Sequence, residues 1–336
     1  MEARLQPINA ILGLLTPGDV NPPALFEQGF VLAGLEVPIV GSEGRVDVDI
    51  VLFHPASSHF VLLEAKSGAN IEDGQAARYA GVDAAAVVQS TGISVPRRDE
   101  LSLEVAYVCL AENADRIRQG LATAAMTGAL IVVAQDRIEF ERDGQPTELD
   151  AAWKAGPIML AAPVVRVLSF DADSPASEFD AAVRAQLVAE LSHSRPEVTV
   201  RLLAERVVPH FPIFASGVQR RLIAKVRDSA RNIVEADPDT YGYLPTTGTR
   251  HEPAIELRAR PETRDPRGRT QAYQALYGRR GRLEHGERRQ LDLLDLLAEA
   301  ADGVVSGATD NDIGENDQDA EDGLDDDESD ADGEER

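Results

Sequence analysis

Two apolar runs of strand length, separated only by the small-residue loop P-A-S-S-H, constrain this chain more than any other feature. In the first, Val46, Val48, Ile50 and Leu52 alternate with Asp47, Asp49, Val51 and Phe53, and the run ends at His54-Pro55. This is the period-two signature of a β-strand. The second run, F-V-L-L-E-A-K-S-G, holds Glu64 and Lys66 inside an otherwise apolar stretch. Connected so closely, the two runs read as neighbouring strands. Charged side chains embedded in an apolar strand are costly to bury and are seldom kept without a role.

The segments around this pair predict an α/β fold. Residues 1 to about 35 read as two helices: I-N-A-I-L-G-L-L, a break at Pro17-Gly18, and a second helix from Pro22-Pro23 with Leu25, Phe26, Phe30, Val31 and Leu35 at helical spacing. A helix is expected over Ile71–Gln89, capped by Asn70 with Asp73 three residues on. The strand L-E-V-A-Y-V-C-L, a helix over Asn113–Met126, the strand A-L-I-V-V-A and a short strand R-I-E-F-E follow. Mixed alternation of this kind argues for a central sheet flanked by helices. Beyond the Pro/Ala stretch at 155–164, helices are expected near 178–193, 198–208 and 216–236, then a turn-rich span leading into A-I-E-L-R-A-R. Three helices followed by a hairpin is the outline of a winged helix-turn-helix. The domain reading is therefore 1–165 for the α/β domain, 175–300 for a basic, mainly helical domain, and 302–336 for a disordered tail.

The net charge of −25 is unevenly distributed. Residues 302–336 carry sixteen acids and one arginine, whereas 195–290 carry nineteen Lys+Arg against twelve Asp+Glu. A low-complexity acidic tail cannot pack a core, and it stands beside a basic block able to meet an anionic partner. In that block Arg220, Arg221, Lys225, Arg227 and Arg231 recur at helical spacing, which suits contacts to phosphates as well as a solvated helix face. Residues 262–290 are arginine-rich with Tyr273 and Tyr277 interleaved, and L-D-L-L-D-L-L-A-E-A reads as a short amphipathic helix. The tail is expected to solubilise the protein or to fold back on the basic block and compete with nucleic acid.

Other classes find little support. No apolar run reaches the roughly 18 residues needed to span a bilayer, and no basic-then-apolar leader opens the chain, so a cytoplasmic protein without membrane contact is expected. The single cysteine, Cys109, lies in an apolar strand and reads as buried and structural. The six histidines show no metal spacing; His54 and His59 flank the loop between the two strands as turn residues. No phosphate-binding G-x-x-x-x-G-K-[ST] loop is present.

The two strands nonetheless assemble a recognisable chemistry. Residues two apart on a strand share a face, so Glu64 and Lys66 project together while the carbonyl of Ala65 is left to face a metal. Asp49 on the preceding strand can set a second carboxylate opposite. Two carboxylates and a carbonyl make a hard oxygen site suited to Mg²⁺ or Mn²⁺, and an ammonium beside it can act on a water. D-I-V-L-F, V-L-L-E-A-K-S-G and Q-A-A-R-Y in the next helix resemble the PD-(D/E)XK, or restriction-endonuclease-like, nuclease superfamily over roughly residues 20–140.

That resemblance implies a metal-dependent nuclease with Asp49 and Glu64 as metal ligands, Lys66 acting on the attacking water, and Gln75 with Tyr79 supporting the site. It also implies an acid from the first helix, for which Glu27 is the candidate. Tyr79 and the five basic residues of 220–231 are assigned to nucleic-acid contact. Asp47 shares a face with Asp49 and remains an alternative ligand, and the proline that commonly precedes the aspartate is absent. Glu64 and Lys66 as a plain surface ion pair, and Gln75 and Tyr79 as a plain helix-surface pair, are the competing readings. DNA is the expected partner, in restriction, phage defence or repair, with RNA and a homodimeric assembly left open. The rival from another class is a catalytically inactive DNA-binding regulator or scaffold built on the same fold.

Overall fold

The computed structural model describes residues 5–258, apart from 19, 69, 70, 72, 73, 97–99, 125, 127, 194 and 248–250. The expected cap by Asn70 and Asp73, the arginine-rich span at 262–290, the closing amphipathic helix and the acidic tail lie outside the described residues.

Helices α1 (Gln6–Leu14) and α2 (Ala24–Glu27) lead into three antiparallel strands, β1 (Val31–Gly41), β2 (Gly44–His54) and β3 (His59–Lys66). Helices α3 (Gln75–Ala80) and α4 (Ala84–Thr91) carry the chain over to β4 (Ser102–Leu110), which pairs parallel to β3. Helix α5 (Ala114–Thr123) makes a second crossover to β5 (Ala129–Val133), parallel to β4, and β6 (Arg137–Arg142) and β7 (Ile158–Met159) return antiparallel. The seven strands lie in sequence order in one mixed sheet.

Alternation along β3 divides the core. Val61 and Leu63 join α1 on one face, while Phe60 and Leu62 pack with Tyr79 and Val87 of α3 and α4 on the other. A third apolar cluster joins Tyr107, Cys109 and Leu130 to Ile117 of α5. Cys109 is fully buried, and burial raises its thiol to about 11.

Beyond residue 175 come α6 (Asp180–Ser192), β8 (Glu197–Thr199), α7 (Val200–Val207), α8 (Ser216–Ala236), β9 (Tyr241–Leu244) and β10 (Ala254–Leu257). The last three strands form an antiparallel sheet in the order β8-β10-β9. The hydrophobic cluster that contains α1 and one sheet face continues through Leu187, Leu203, Leu222 and Ile255. One anchor is a backbone bond from Ala215 to the carbonyl of Leu35, 3.2 Å, at the entry to α8. Among the described residues no helix is long and apolar enough to cross a membrane.

Two local readings are corrected. Residues Val31–Gly41, expected to be the end of a helix as far as Leu35, are a strand. Pro38 lacks the N–H a helix interior needs, and Val37 and Ile39 are buried beside half-exposed Pro38, the alternation of a strand. The single helix expected over 71–89 is two. Asp83 caps α4 by accepting from the Ala86 amide, and Gly81 ends α3 where the β1–β2 hairpin crosses it. The Gly81 carbonyl accepts from the Ser42 amide at 2.9 Å, and a Cβ on Gly81 would come within 2.7 Å of the Glu43 nitrogen. Only glycine permits this approach, and it fixes α3 against β2.

Asn9 of α1 holds the start of the connection to α6. Its side-chain amide donates to the carbonyls of Leu5 and Leu168, and its oxygen accepts from the Leu168 amide. Because Asn9 is wholly buried, removing these partners strands polar backbone groups. Asn9→Ala is expected to destabilise the protein by roughly 2–4 kcal/mol in urea unfolding; a loss below about 0.5 kcal/mol would show that water replaces the bonds.

Candidate active site

Pairing between β2 and β3 runs from His54↔His59 to Ile50↔Leu63 and then stops. At the end of the ladder the Asp49 carboxylate takes the place of a strand partner: its Oδ2 accepts the Ala65 amide at 2.7 Å. The fork between the strands is thus closed by a charged side chain.

Glu64 and Lys66 follow Leu62 on the opposite sheet face from Leu63, beneath α3. The Lys66 ammonium lies 2.9 Å from Glu64 Oε1 and donates to Gln75 Oε1 at 2.9 Å. Gln75 Nε2 donates to the same Glu64 oxygen at 2.7 Å, and the Tyr79 hydroxyl donates to Glu64 Oε2 at 2.6 Å. Residues 75 and 79 are four apart on one helix and both reach Glu64, because Gly81 and Ser42 set the pitch of α3 against the sheet. Burial, followed by the charge of Glu64, keeps the Tyr79 phenol protonated far above its ordinary range, so it acts as a donor.

This geometry revises one assignment. Tyr79 is 2% exposed, and its hydroxyl is spent on Glu64, so it positions the carboxylate and offers no surface to nucleic acid. Glu64 and Lys66 are each only 11% exposed at the side chain, and Gln75 is buried, which also removes the surface-pair readings. Asp47 is exposed and paired with Arg45, whereas Asp49 sits in the fork. Glu27 ends α2 as an exposed residue and does not line the cavity beside Asp49.

The acid that does join Asp49 is Glu36, which the sequence reading missed. Flanked by the pairs Leu35↔Ile50 and Val37↔Val48, Glu36 and Asp49 stand opposite each other on β1 and β2. Glu36 has a left-handed backbone, φ 47°, and the buried side of the ribbon switches there: Leu35 and Ile50 belong to one core face, Val37 and Val48 to the other. The switch turns Glu36 and Asp49 toward a cavity of about 370 Å³ also lined by Ala65, Asp171, Gly217 and Arg221. Glu36 accepts the Ala172 amide at 3.3 Å and pairs with Arg221 at 3.5 Å.

Burial, and next the charge of Glu64, push the Asp49 carboxyl up to about 7 against the opposing Ala65 amide. Burial likewise lifts Glu36 to about 7. Desolvation, with a second carboxylate close enough to repel it, leaves Asp49 short of positive charge. Asp49 and Ala65 line the cavity, whereas Glu64 does not, its two oxygens being taken by Gln75, Lys66 and Tyr79. The Asp49 and Glu64 carboxylates and the Ala65 carbonyl are the oxygens that would hold a hard divalent cation. Mg²⁺ commonly takes only one or two carboxylates and fills its shell with water. Among the described residues no group of three or more His, Cys, Asp or Glu side chains could hold a metal ion. Any such site rests on this mixed set.

The two histidines that flank the β2–β3 loop make structural bonds. His54 bonds Ser57 and the Gln28 carbonyl, and buried His59 bonds Ser102 and Glu104. The basic residues of α8 diverge. Arg231 lies over the Tyr243 ring at 4.6 Å, Arg227 pairs with Asp228, Arg220 is exposed and Lys225 is half-buried. Of the five, Arg221 alone lines the cavity.

A carboxyl whose folded value is raised favours the folded state while protonated, so stability falls as pH rises from about 4 through about 7. Asp49→Asn keeps an acceptor for the Ala65 amide and removes that penalty. In chelator-treated protein the variant is expected to be more stable than wild type by roughly 2–4 kcal/mol at pH 8, the gap shrinking by more than half at pH 5. Denaturation at both pH values checks this; a gap independent of pH would show that the Asp49 charge is not what is relieved.

A family model described as the MJECL32 domain matches residues 3–142, a span that holds α1 to β6 and every residue of the fork but none of α6 to β10. No curated protein and no solved structure matches the chain.

Proposed function

We propose that this chain is a divalent-metal-dependent nuclease that hydrolyses phosphodiester bonds in DNA. The observation that carries the reading is the fork itself: a half-buried carboxylate at Asp49, bonded to the amide of the central residue of the Glu64-Ala65-Lys66 triplet. Restriction-endonuclease-like proteins, which this arrangement resembles, build their chemistry on such a triplet.

Mg²⁺ or Mn²⁺, held by Asp49, Glu64 and the Ala65 carbonyl, would stabilise the charge that develops on the phosphoryl oxygens. The protein's own groups do the rest. Gln75 and Tyr79 fix both oxygens of Glu64, leaving that carboxylate one orientation. Lys66, anchored between Glu64 and Gln75, presents its ammonium beside the fork, where it orients the attacking water and takes part in its proton transfer.

The second half of the chain supports a nucleic-acid substrate. The order α6, β8, α7, α8, β9, β10 with strand order β8-β10-β9 supports reading this half as a winged helix, in which α8 would be the helix offered to DNA. Its exposed arginines suit phosphate contacts that fix register without reading bases.

Incubation of purified protein with plasmid, linear and single-stranded DNA in Mg²⁺ tests the reading. Wild type is expected to cleave. Lys66→Ala and Glu64→Gln are each expected to lose at least 100-fold in rate, while Glu27→Gln stays within about twofold. Cleavage unchanged in Lys66→Ala, or absent with every metal and substrate while DNA still binds, would favour a catalytically inactive DNA-binding protein. Cleavage of RNA alone would reassign the substrate.

A further inference from the structure

Arg221 separates itself from the other basic residues of α8 by where it stands. It lines the same cavity as Asp49 and Ala65, one turn along α8 from Gly217, which lines the cavity too. At Gly217 an added Cβ would meet nothing within 4 Å, so this part of the wall is open space. The residues that lead into α8 are docked on β1: Phe214 bridges Leu35 in parallel, and the Ala215 amide donates to the Leu35 carbonyl. Leu35 immediately precedes Glu36, so α8 is held at the residue that faces Asp49.

The cavity is strongly acidic, with Glu36, Asp47, Asp49, Asp171 and Asp173 in its lining. A phosphodiester could not approach such a surface without a cation to receive it. Two arginines line it. Arg45 is bound to Asp47 through both Nε and Nη2, with distances of 3.0 and 2.5 Å to one oxygen. Arg221 has a looser partner: Nη2 lies 3.5 Å from Glu36 Oε2, and 57% of its side chain is exposed. At that distance, with the guanidinium more than half exposed, the pair is loosely held and the guanidinium can exchange partners.

We propose that Arg221 is the positioning residue through which α8 holds DNA at the fork: at rest it is parked on Glu36, and on binding it leaves that carboxylate for a phosphate beside the bond to be cut. This rests on the nuclease reading of the fork. Glu36 then acts as a competitor for the guanidinium, and a DNA that cannot displace it is held less well.

The test is a double-mutant cycle on binding, in full-length protein carrying Lys66→Ala so that DNA stays intact. Affinity for a short duplex is measured across a salt series. Arg221→Ala is expected to weaken binding about tenfold and to lower the salt slope by about 0.9, one phosphate contact. Glu36→Gln is expected to tighten binding severalfold when Arg221 is present and to change it little in Arg221→Ala. Tightening that persists undiminished in Arg221→Ala, unchanged affinity in Arg221→Ala, or no DNA binding at all would overturn the proposal.

Cleavage by the chain with Lys66 intact gives an independent arm. At saturating DNA, Arg221→Ala is expected to cut at less than a tenth of the wild-type rate; a saturated rate within about twofold of wild type would overturn the proposal. If cleavage depends on Lys66 but the binding cycle shows no coupling, the Arg221 proposal fails and the nuclease reading stands. If the coupling is found and no cleavage occurs, the reverse holds.

Discussion

The bond from the Ala65 amide to the Asp49 carboxylate organises the whole arrangement. A β-ladder normally spends each inward amide on a carbonyl of the next strand, and a buried amide left over is costly. Here the β2–β3 ladder ends one step early, and a side-chain oxygen takes the amide. This satisfies Ala65 while drawing a charge into the gap between two strands. Glu64, the preceding residue, then lies close enough to raise the proton affinity of Asp49. The β2–β3 ladder thus closes on a charged fork, while β3 goes on pairing with β4 through Lys66.

Several distant contacts serve to keep the fork in shape. Gly81 and Ser42 lock α3 to the β1–β2 hairpin, which brings Gln75 and Tyr79 onto Glu64. Glu36, in its left-handed conformation, turns the ribbon over and accepts the Ala172 amide, tying β1 to the start of the connection toward α6. A left-handed conformation in a non-glycine residue costs on the order of 1–3 kcal/mol and persists where surrounding contacts over-determine it. Those contacts are the strand pairs on either side of it and its bond to Ala172.

Much of this was legible in the sequence because it depends on short-range pattern. The two strands, the shared face of Glu64 and Lys66, and the helices near 180, 200 and 216 follow from period-two and period-3.6 spacing alone. What escaped is what depends on tertiary context. Leu25, Phe26, Phe30, Val31 and Leu35 satisfy helical spacing, yet the chain from Val31 pairs with β2 because an eleven-residue hairpin arm buries Val37 and Ile39 as well. Pro38, followed by the alternating end of that run, was the available signal. Reading Val31–Leu35 as helix hid Glu36, since a helix there places no acid opposite Asp49. Tyr79 was assigned to substrate for a related reason: tyrosine on a helix near a charged site suits either role, and only the packing of α3 decides between them.

Charge distribution takes on a different sense once these positions are known. The acids of the N-terminal half include a group gathered at one cavity, Glu36, Asp47 and Asp49, joined there by Asp171 and Asp173. Alone, that surface would repel any polyanion. The helix that supplies Arg221 to the same cavity belongs to the basic block of the sequence, and the residue that caps its start is bonded to the strand that carries Glu36. An acidic site that is to receive a phosphodiester needs cations that are present but not already committed. Arg45 is held by two bonds to Asp47, whereas Arg221, on a helix from the other half of the chain, faces Glu36 across 3.5 Å and is the more loosely held of the two. On the proposed nuclease reading, attraction of a phosphodiester and coordination of a cation would fall to groups from different parts of the sequence that do not neutralise one another.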